Sequence, residues 1–331
     1  MTHVAVITDT HFGIKNNSQR WLSKQRDGID ELLYYIQCYK IENPDNEVVL
    51  IHCGDVFDSR SSINPMVLKE VRDMLYGLAD EVGRFYILGG NHDYYSPQEE
   101  YLEVNTLDLL LYHNNITLVT DGYMTGVVDG VKMGFIPWYS VDGKQQTVSS
   151  ILNKERMDIV FTHTDLFGKP DFGVPVVSGH IHTPQRFGRN FNICSTFATT
   201  FADANSERGF YTFDCEDGGF TPLIFHPLRS IIRFHTFVST SVEFFQPFDV
   251  KPYDYVRIYL LPEHRQDKKY MKVVEKCQNS CENVDVIIYN NTEVADSSFS
   301  DVIDIDAIII GMLPEHLKEK FNNIKCMTSK N

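Results

Sequence analysis

Val48-Val49-Leu50-Ile51-His52-Cys53-Gly54-Asp55 is an apolar run of strand length that stops at a glycine and a carboxylate. Such a run reads as a buried strand, and polar residues at its end fall where α/β sheets place their chemistry. The same pattern recurs on both sides. Val4 to Ile7 leads into Asp9-Thr10-His11, Phe85 to Leu88 into Gly90-Asn91-His92-Asp93, Ile159 to Phe161 into Thr162-His163, and Val174 to Val177 into Gly179-His180-Ile181-His182. Carboxylate, amide and imidazole groups sufficient for two metal ions are thereby expected at strand ends scattered between residues 9 and 182.

Residues two apart on a strand point the same way, which predicts that Asp9 and His11 face one ion and that His180 and His182 reach into one pocket. Glycine stands before Asp55, Asn91 and His180, as expected where backbone turns sharply so that a side chain can lean into a site. A mixed carboxylate, imidazole and amide set suits manganese, iron or zinc better than calcium. No thiolate lies within Asp9-Thr10-His11, Gly54-Asp55, Gly90-Asn91-His92-Asp93, Thr162-His163 or Gly179-His180-Ile181-His182, which speaks against a purely structural zinc.

The chain has 331 residues, 43% of them hydrophobic, enough for one large domain and a smaller one. No apolar run approaches the roughly 18 to 20 residues of a membrane span, which argues against membrane insertion, and the passage into Asp9, His11 and Lys15 within a few residues of a short strand-like run argues against secretion. Seven scattered cysteines are most simply reduced thiols in a cytoplasm. Cys277 and Cys281 stand four apart, yet no second Cys or His pair accompanies them to complete a zinc site. The formal charge of -15 opposes a protein that holds nucleic acid by neutralising phosphates unaided. Lys15, Arg20, Lys24, Arg26, Arg186 and Arg189 read mostly as solvated surface charge.

Strand-like and helix-like runs alternate from residue 1 to about 230, the mark of an α/β layered fold. Helices are predicted over Ser18 to Ile41, where Ile29, Leu32, Leu33 and Ile36 recur at three and four residue steps, and over Pro65 to Ala79. Asp129-Gly130 predicts a hairpin between Gly122 to Val128 and Val131 to Ile136, and strands outnumber helices from Met157 to Phe225. After His226-Pro227 the polar blocks stop. Strands over Ser230 to Phe237, Tyr255 to Leu261 and Val284 to Tyr289, with a helix around Asp267 to Cys277, predict a small separate unit over residues 231 to 331. Pro314 to Ile324 reads as a terminal amphipathic helix.

The ordered blocks resemble the calcineurin-like metallophosphoesterase superfamily, whose pattern runs Asp-x-His, Gly-Asp, Gly-Asn-His, His, Gly-His-x-His. Within it, Asp9-Thr-His11-Phe-Gly13, Gly54-Asp55-Val-Phe-Asp58, Gly90-Asn91-His92-Asp93 and Gly179-His180-Ile-His182-Thr-Pro-Gln185 most resemble the SbcD family, the nuclease subunit of the bacterial SbcCD and eukaryotic meiotic-recombination-eleven complexes. The compact C-terminal region and the stretch Cys194 to Phe213, ending Arg208-Gly-Phe-Tyr-Thr-Phe213, look most like the T-even phage versions. The resemblance implies a two-layered β-sandwich flanked by helices, with a small C-terminal α+β capping domain. It implies Asp9, His11, Asp55 and His182 on a first metal, and Asp55, Asn91, His163 and His180 on a second, with Mn2+ as the ion and a bridging water or hydroxide as nucleophile. His92 would act on the leaving group without binding metal, and Asp58, where relatives often carry His, would orient His92.

By the same resemblance the activity is that of a 3′-5′ exonuclease on duplex ends and an endonuclease on single strands, in break repair, recombination and replication. The partners implied are DNA, a second copy through the two predicted helices, and an SbcC-like ABC/SMC-type ATPase docked by the terminal helix, with no membrane involved. For a phage-encoded protein the location is the host cytoplasm. Two other readings stand beside this one: a nucleotide or small-molecule phosphoesterase with the same ions, and a scaffold for the ATPase, which has no need of a complete ligand set. Asp58 stands where purple acid phosphatases carry Tyr, and Val56-Phe57-Asp58-Ser59 replaces the Val-Asp-Arg-Gly of serine/threonine phosphatases.

Overall fold

The alternation of apolar side chains on the first two strands divides the core into two layers. On β1 (Thr2–Ile7) and β2 (Glu47–His52), Ala5, Ile7, Val48 and Leu50 face a pair of helices, whereas Val4, Val6, Val49 and Ile51 face a second sheet. Strands buried on both faces read as continuous hydrophobic runs, which is why these segments are legible as strands. The computed structural model describes residues 1–96, 104–110, 113–138, 151–152, 155–166, 169, 171–246 and 249–289.

The first sheet places β1, β2, β3 (Arg84–Leu88) and β4 (Ile116–Val119) side by side and parallel, with β11 (Gly209–Glu216) antiparallel to β1. β12 (Gly219–Phe220) and β13 (Ile224–Pro227) both pair with β11. The second sheet runs β5 (Met124–Val128), β6 (Val131–Ile136), β7 (Ile159–Thr162), β8 (Val176–Ser178), β10 (Asn190–Asn192) and β9 (Gln185–Phe187). Its β6, β7 and β8 are parallel, and the predicted hairpin turn joins β5 to β6. Between the sheets Tyr86, Phe135, Phe161 and Phe213 stack in a ladder, with ring centroids 4.2, 5.9 and 6.0 Å apart.

Helix α1 (Gln19–Glu42) covers the outer face of the first sheet with Leu22, Ile29, Leu32 and Ile36, and Gln25 stands in the same buried stripe. Helix α2 (Pro65–Glu81) starts where the Asn64 side chain accepts a hydrogen bond from Met66 N at 2.8 Å, with Pro65 in the first turn. The mixed α/β fold is thus the expected one, and both helices fall within two residues of their predicted ends.

A third sheet holds β14 (Phe234–Val238), β15 (Tyr255–Leu260) and β16 (Asn283–Ile288), all parallel. Helix α3 (Lys268–Ser280) connects β15 to β16 and packs Val274 and Cys277 with Val256, Ile258 and Leu260. Cys281 belongs to the same apolar cluster, so this cysteine pair serves packing. The strand predicted from Ser230 begins at Phe234 instead, because Ile231 packs into the helix-layer core and Ile232 packs with Trp21 and Phe234. Trp21 Nε1 also donates to Tyr255 Oη at 3.2 Å, and Arg20 pairs with Glu282 at 3.0 Å, so α1 carries both the first sheet and the third. The predicted terminal helix, Pro314 to Ile324, lies outside the described residues.

Phe161 is fully buried at the centre of the ring ladder. Phe161→Ala should cost about 3–5 kcal/mol through lost transfer energy and the cavity left behind. Urea unfolding followed by tryptophan fluorescence measures it, and a loss below about 1 kcal/mol would show that the sheets close over the gap.

Candidate metal centre

The parallel strands β1, β2 and β3 of one sheet and β7 and β8 of the other end at the same edge of the sandwich. The segments leaving them carry every candidate ligand. Asp9, His11, Asp55, Asn91 and His92 come from the first sheet, and His163, His180 and His182 come from the second. The residues are not on the strands themselves. Asp9, His11, Asp55 and His180 sit beyond the strand ends at φ of 48, 45, 56 and 76°, so the expected same-side strand geometry is replaced by tight left-handed turns. Non-glycine residues in this region are strained, and such strain gathers at functional sites.

Backbone hydrogen bonds between two of these turns hold them in shape. Asp9 N donates to Gly54 O at 2.9 Å, His11 N to Asp55 O at 3.1 Å and Phe12 N to Val56 O at 2.8 Å. Gly90 lies so close to Asp55 that a Cβ there would collide with the Asp55 amide and carboxylate, so the glycine makes room for the approach.

Two groups of ligand atoms result. His11 Nε2 lies 3.2 Å from His182 Nε2, 3.9 Å from Asp9 Oδ1 and 3.8 Å from Asp55 Oδ2, and His182 Nε2 lies 3.8 Å from Asp9 Oδ1. On the other side of Asp55, His163 Nε2 is 3.3 Å from Asp55 Oδ2 and 3.1 Å from Asn91 Oδ1, which is 2.8 Å from His180 Nδ1. The structure thus brings all seven predicted metal residues together, with Asp55 Oδ2 facing both groups. Residues 2–184 match the family of calcineurin-like phosphoesterases, more than half of the chain.

The chain belongs to the calcineurin-like phosphoesterase family.

Calcineurin-like phosphoesterases are, as a family, metal-dependent hydrolases of phosphoesters. Among solved structures this phosphoesterase is similar to a 5′-nucleotidase precursor from Thermus thermophilus, with 13% identity over 69% of this chain and 54% of that one, and a TM-score of 0.37. It is also similar to a Thermotoga maritima protein solved by NMR, with 14% identity over 69% of this chain and 100% of that one, and a TM-score of 0.34. The phosphoesterase spans about half the length of the Thermus protein. No curated protein sequence matches it. Among its described residues no helix is long and apolar enough to cross a membrane.

The donor set fits divalent ions. Metal–nitrogen bonds of about 2.1 Å put neighbouring ligand atoms of one ion roughly 3 Å apart, the spacing of the two imidazole Nε2 atoms. Burial lowers the pKa of His11 to about 3 and also lowers that of His180, so both imidazoles are neutral with a lone pair to offer. Burial opposes ionisation of Asp55, but the charge of His163 and its hydrogen bond to the carboxylate outweigh it and hold the carboxyl far below the usual range. His163 donates from Nδ1 to the Cys53 carbonyl at 2.7 Å, which leaves Nε2 as its coordinating atom.

His92 N donates to Asp55 Oδ1 at 2.8 Å, and its ring Nδ1 donates to the main-chain carbonyl of Asp58 at 2.6 Å. The Asp58 contact with His92 is therefore made by backbone, whereas the Asp58 carboxylate stands 3.6 Å from His11 Nδ1. Two supporting residues receive no role from the motif reading, although Asp93 stands inside one of its blocks. Asp93 is fully buried and accepts from Gly90 N, Val56 N and Phe57 N, so one carboxylate ties the turn after β2 to the turn after β3. Burial and the charge of Asp55 push its pKa up to about 7 against the pull of those N–H groups. Gln25 donates to the carbonyls of Thr10 and His11, and its place inside an apolar helical stripe is a signal available from sequence.

Burial alone would lower the pKa of His163, but Asp55 and Asp9 outweigh it and raise it to about 9. A cation on Nε2 must displace that proton, because Nδ1–H stays on Cys53. Affinity for Mn2+ should therefore fall roughly tenfold per unit as pH drops from about 9 to about 7. Calorimetric titration in buffers of different ionisation enthalpy should register about one proton released; affinity that stays flat across this window would remove His163 from the ligand set.

Proposed function

We propose that the protein is a two-metal DNA nuclease that cleaves phosphodiesters, as a 3′-5′ exonuclease on duplex ends and an endonuclease on single strands. The charge of the cleft carries this reading. It has a volume of about 540 Å³ and is lined by His11, Asp55, Asn91, His92, His180 and His182, with Lys15 the one permanent cation on its wall among the described residues. A phosphomonoester brings a second negative charge and is commonly held by an arginine fork, whereas a diester link carries a single charge. A cleft with ligands for two cations and one lysine suits the diester.

Bound divalent ions would supply an activated water and hold the phosphoryl oxygens. Asp9, His11, Asp55 and His182 would hold one ion, and Asp55, Asn91, His163 and His180 the other. His92, fixed through Nδ1 on the Asp58 carbonyl, turns Nε2 toward the cleft, where in its charged form it can give a proton to the leaving alkoxide. The SbcD-like motif blocks support DNA as the diester, Mn2+ as the ion, and an SbcC-like ABC/SMC-type ATPase as partner. The same reading makes the protein a homodimer through α1 and α2, where Tyr34, Ile41 and Met66 are 69, 80 and 54% exposed. The charge of -15 is consistent with an ATPase that supplies the basic track for DNA.

With Mn2+, the protein should hydrolyse bis(p-nitrophenyl) phosphate and DNA in preference to p-nitrophenyl phosphate and mononucleotides. The reverse preference would make it a nucleotide or small-molecule phosphoesterase. Asp55→Ala should abolish hydrolysis and weaken both ions. His92→Ala should keep both and lower turnover by about 10²- to 10⁴-fold, and unchanged turnover would remove the leaving-group role.

A further inference from the structure

Behind His182 lies a buried ion pair that none of the motif blocks contains. Arg208 Nη2 donates to Asp203 Oδ1 at 2.8 Å, and the two side chains are 2% and 3% exposed. Burying two charges is costly unless the remaining donors and acceptors are used. Here Arg208 Nη1 and Asp203 Oδ2 point at the metal site, while Arg208 Nε is buried without a hydrogen-bond partner. Arg208 Nη1 donates to the main-chain carbonyl of His182. Asp203 Oδ2 accepts from Thr199 N at 2.8 Å, from Thr200 N at 3.1 Å and from the Thr199 hydroxyl at 3.2 Å. The same hydroxyl lies 3.3 Å from His182 Nδ1.

A hydroxyl has one hydrogen. Because that of Thr199 goes to Asp203, its oxygen is left to accept, and His182 must carry its proton on Nδ1. Nε2 is then the bare nitrogen, the atom that faces His11 Nε2 and Asp9. A histidine ligand is commonly fixed in this manner by a carboxylate on its far nitrogen, and here one hydroxyl intervenes. We propose that Asp203 and Arg208 are positioning residues for His182: Asp203 sets the tautomer of the ring through Thr199, and Arg208 fixes the main chain that carries it. The assignment rests on the two-ion reading above for its consequence, because a bare Nε2 matters only if a cation binds there.

Thr199→Val removes the hydroxyl at nearly constant volume and leaves the Asp203–Arg208 pair in place, and Thr199→Ser restores the hydroxyl. Calorimetric titration of the full chain with Mn2+ alone should show two sites in the wild type. One of them should be weakened about 10- to 100-fold in Thr199→Val and the other left unchanged, with near-wild-type binding in Thr199→Ser. Nitrogen-15 NMR of the metal-free protein should place the His182 proton on Nδ1 in the wild type and in Thr199→Ser, and show a mixture of tautomers in Thr199→Val. Wild-type binding or an unchanged tautomer in Thr199→Val overturns the proposal, as does failure of Thr199→Ser to restore both. The nitrogen signals need no metal. A wild type that takes up no Mn2+ but shows the expected tautomers would therefore overturn the two-ion reading and leave the relay standing.

Discussion

A carboxylate with 2% of its surface exposed, Asp55, cannot stay ionised unless the protein surrounds it with donors and positive charge. The site is organised around that requirement. One oxygen is tied by the amide of His92, and the other faces imidazoles from both sheets. Asp55 and Asp9 in turn raise the pKa of His163 to about 9. The turn carrying Asp55 is fixed on one side by the backbone of residues 9 to 12 and on the other by Asp93. Sheet topology, strained turns and buried network are thus parts of one electrostatic solution.

Much of this was legible in the sequence because it is written in short range. Val48 to Ile51 carries its strand signal in four consecutive aliphatic residues, and Gly54-Asp55 is a turn with a carboxylate. Helix periodicity located α1 and α2 for the same reason. What sequence could not give is the backbone conformation at Asp9, His11 and His180, where positive φ is held by hydrogen bonds to distant segments and not by a local turn of the Asp129-Gly130 kind. The Asp58 contact illustrates a second limit, because a carbonyl has no signature in residue identity. Asp203 and Arg208 illustrate a third: their meaning lies in His182, more than 20 residues earlier. At Ser230 to Arg233 a strand-like pattern built on Ile231 and Ile232 served packing of two separate cores instead.

Acidic proteins that act on anions face repulsion at long range and need attraction at short range. Here local attraction is concentrated where two cations would sit, with Lys15 beside them. The remaining surface is free to be acidic, and under the proposed nuclease reading a basic partner would capture the long polyanion.

The ring ladder between the sheets has a bearing on chemistry that its distance from the site conceals. The ligands are divided between the two sheets, and Tyr86, Phe135, Phe161 and Phe213 fill the space between. Tyr86 on Phe135 and Phe213 on Phe161 each bridge the two sheets, so the thickness of two aromatic side chains sets the span across which Asp55 and His163 meet. In this architecture the spacing of the reactive centre is a dimension of the core, open to adjustment by residues that never touch metal or substrate.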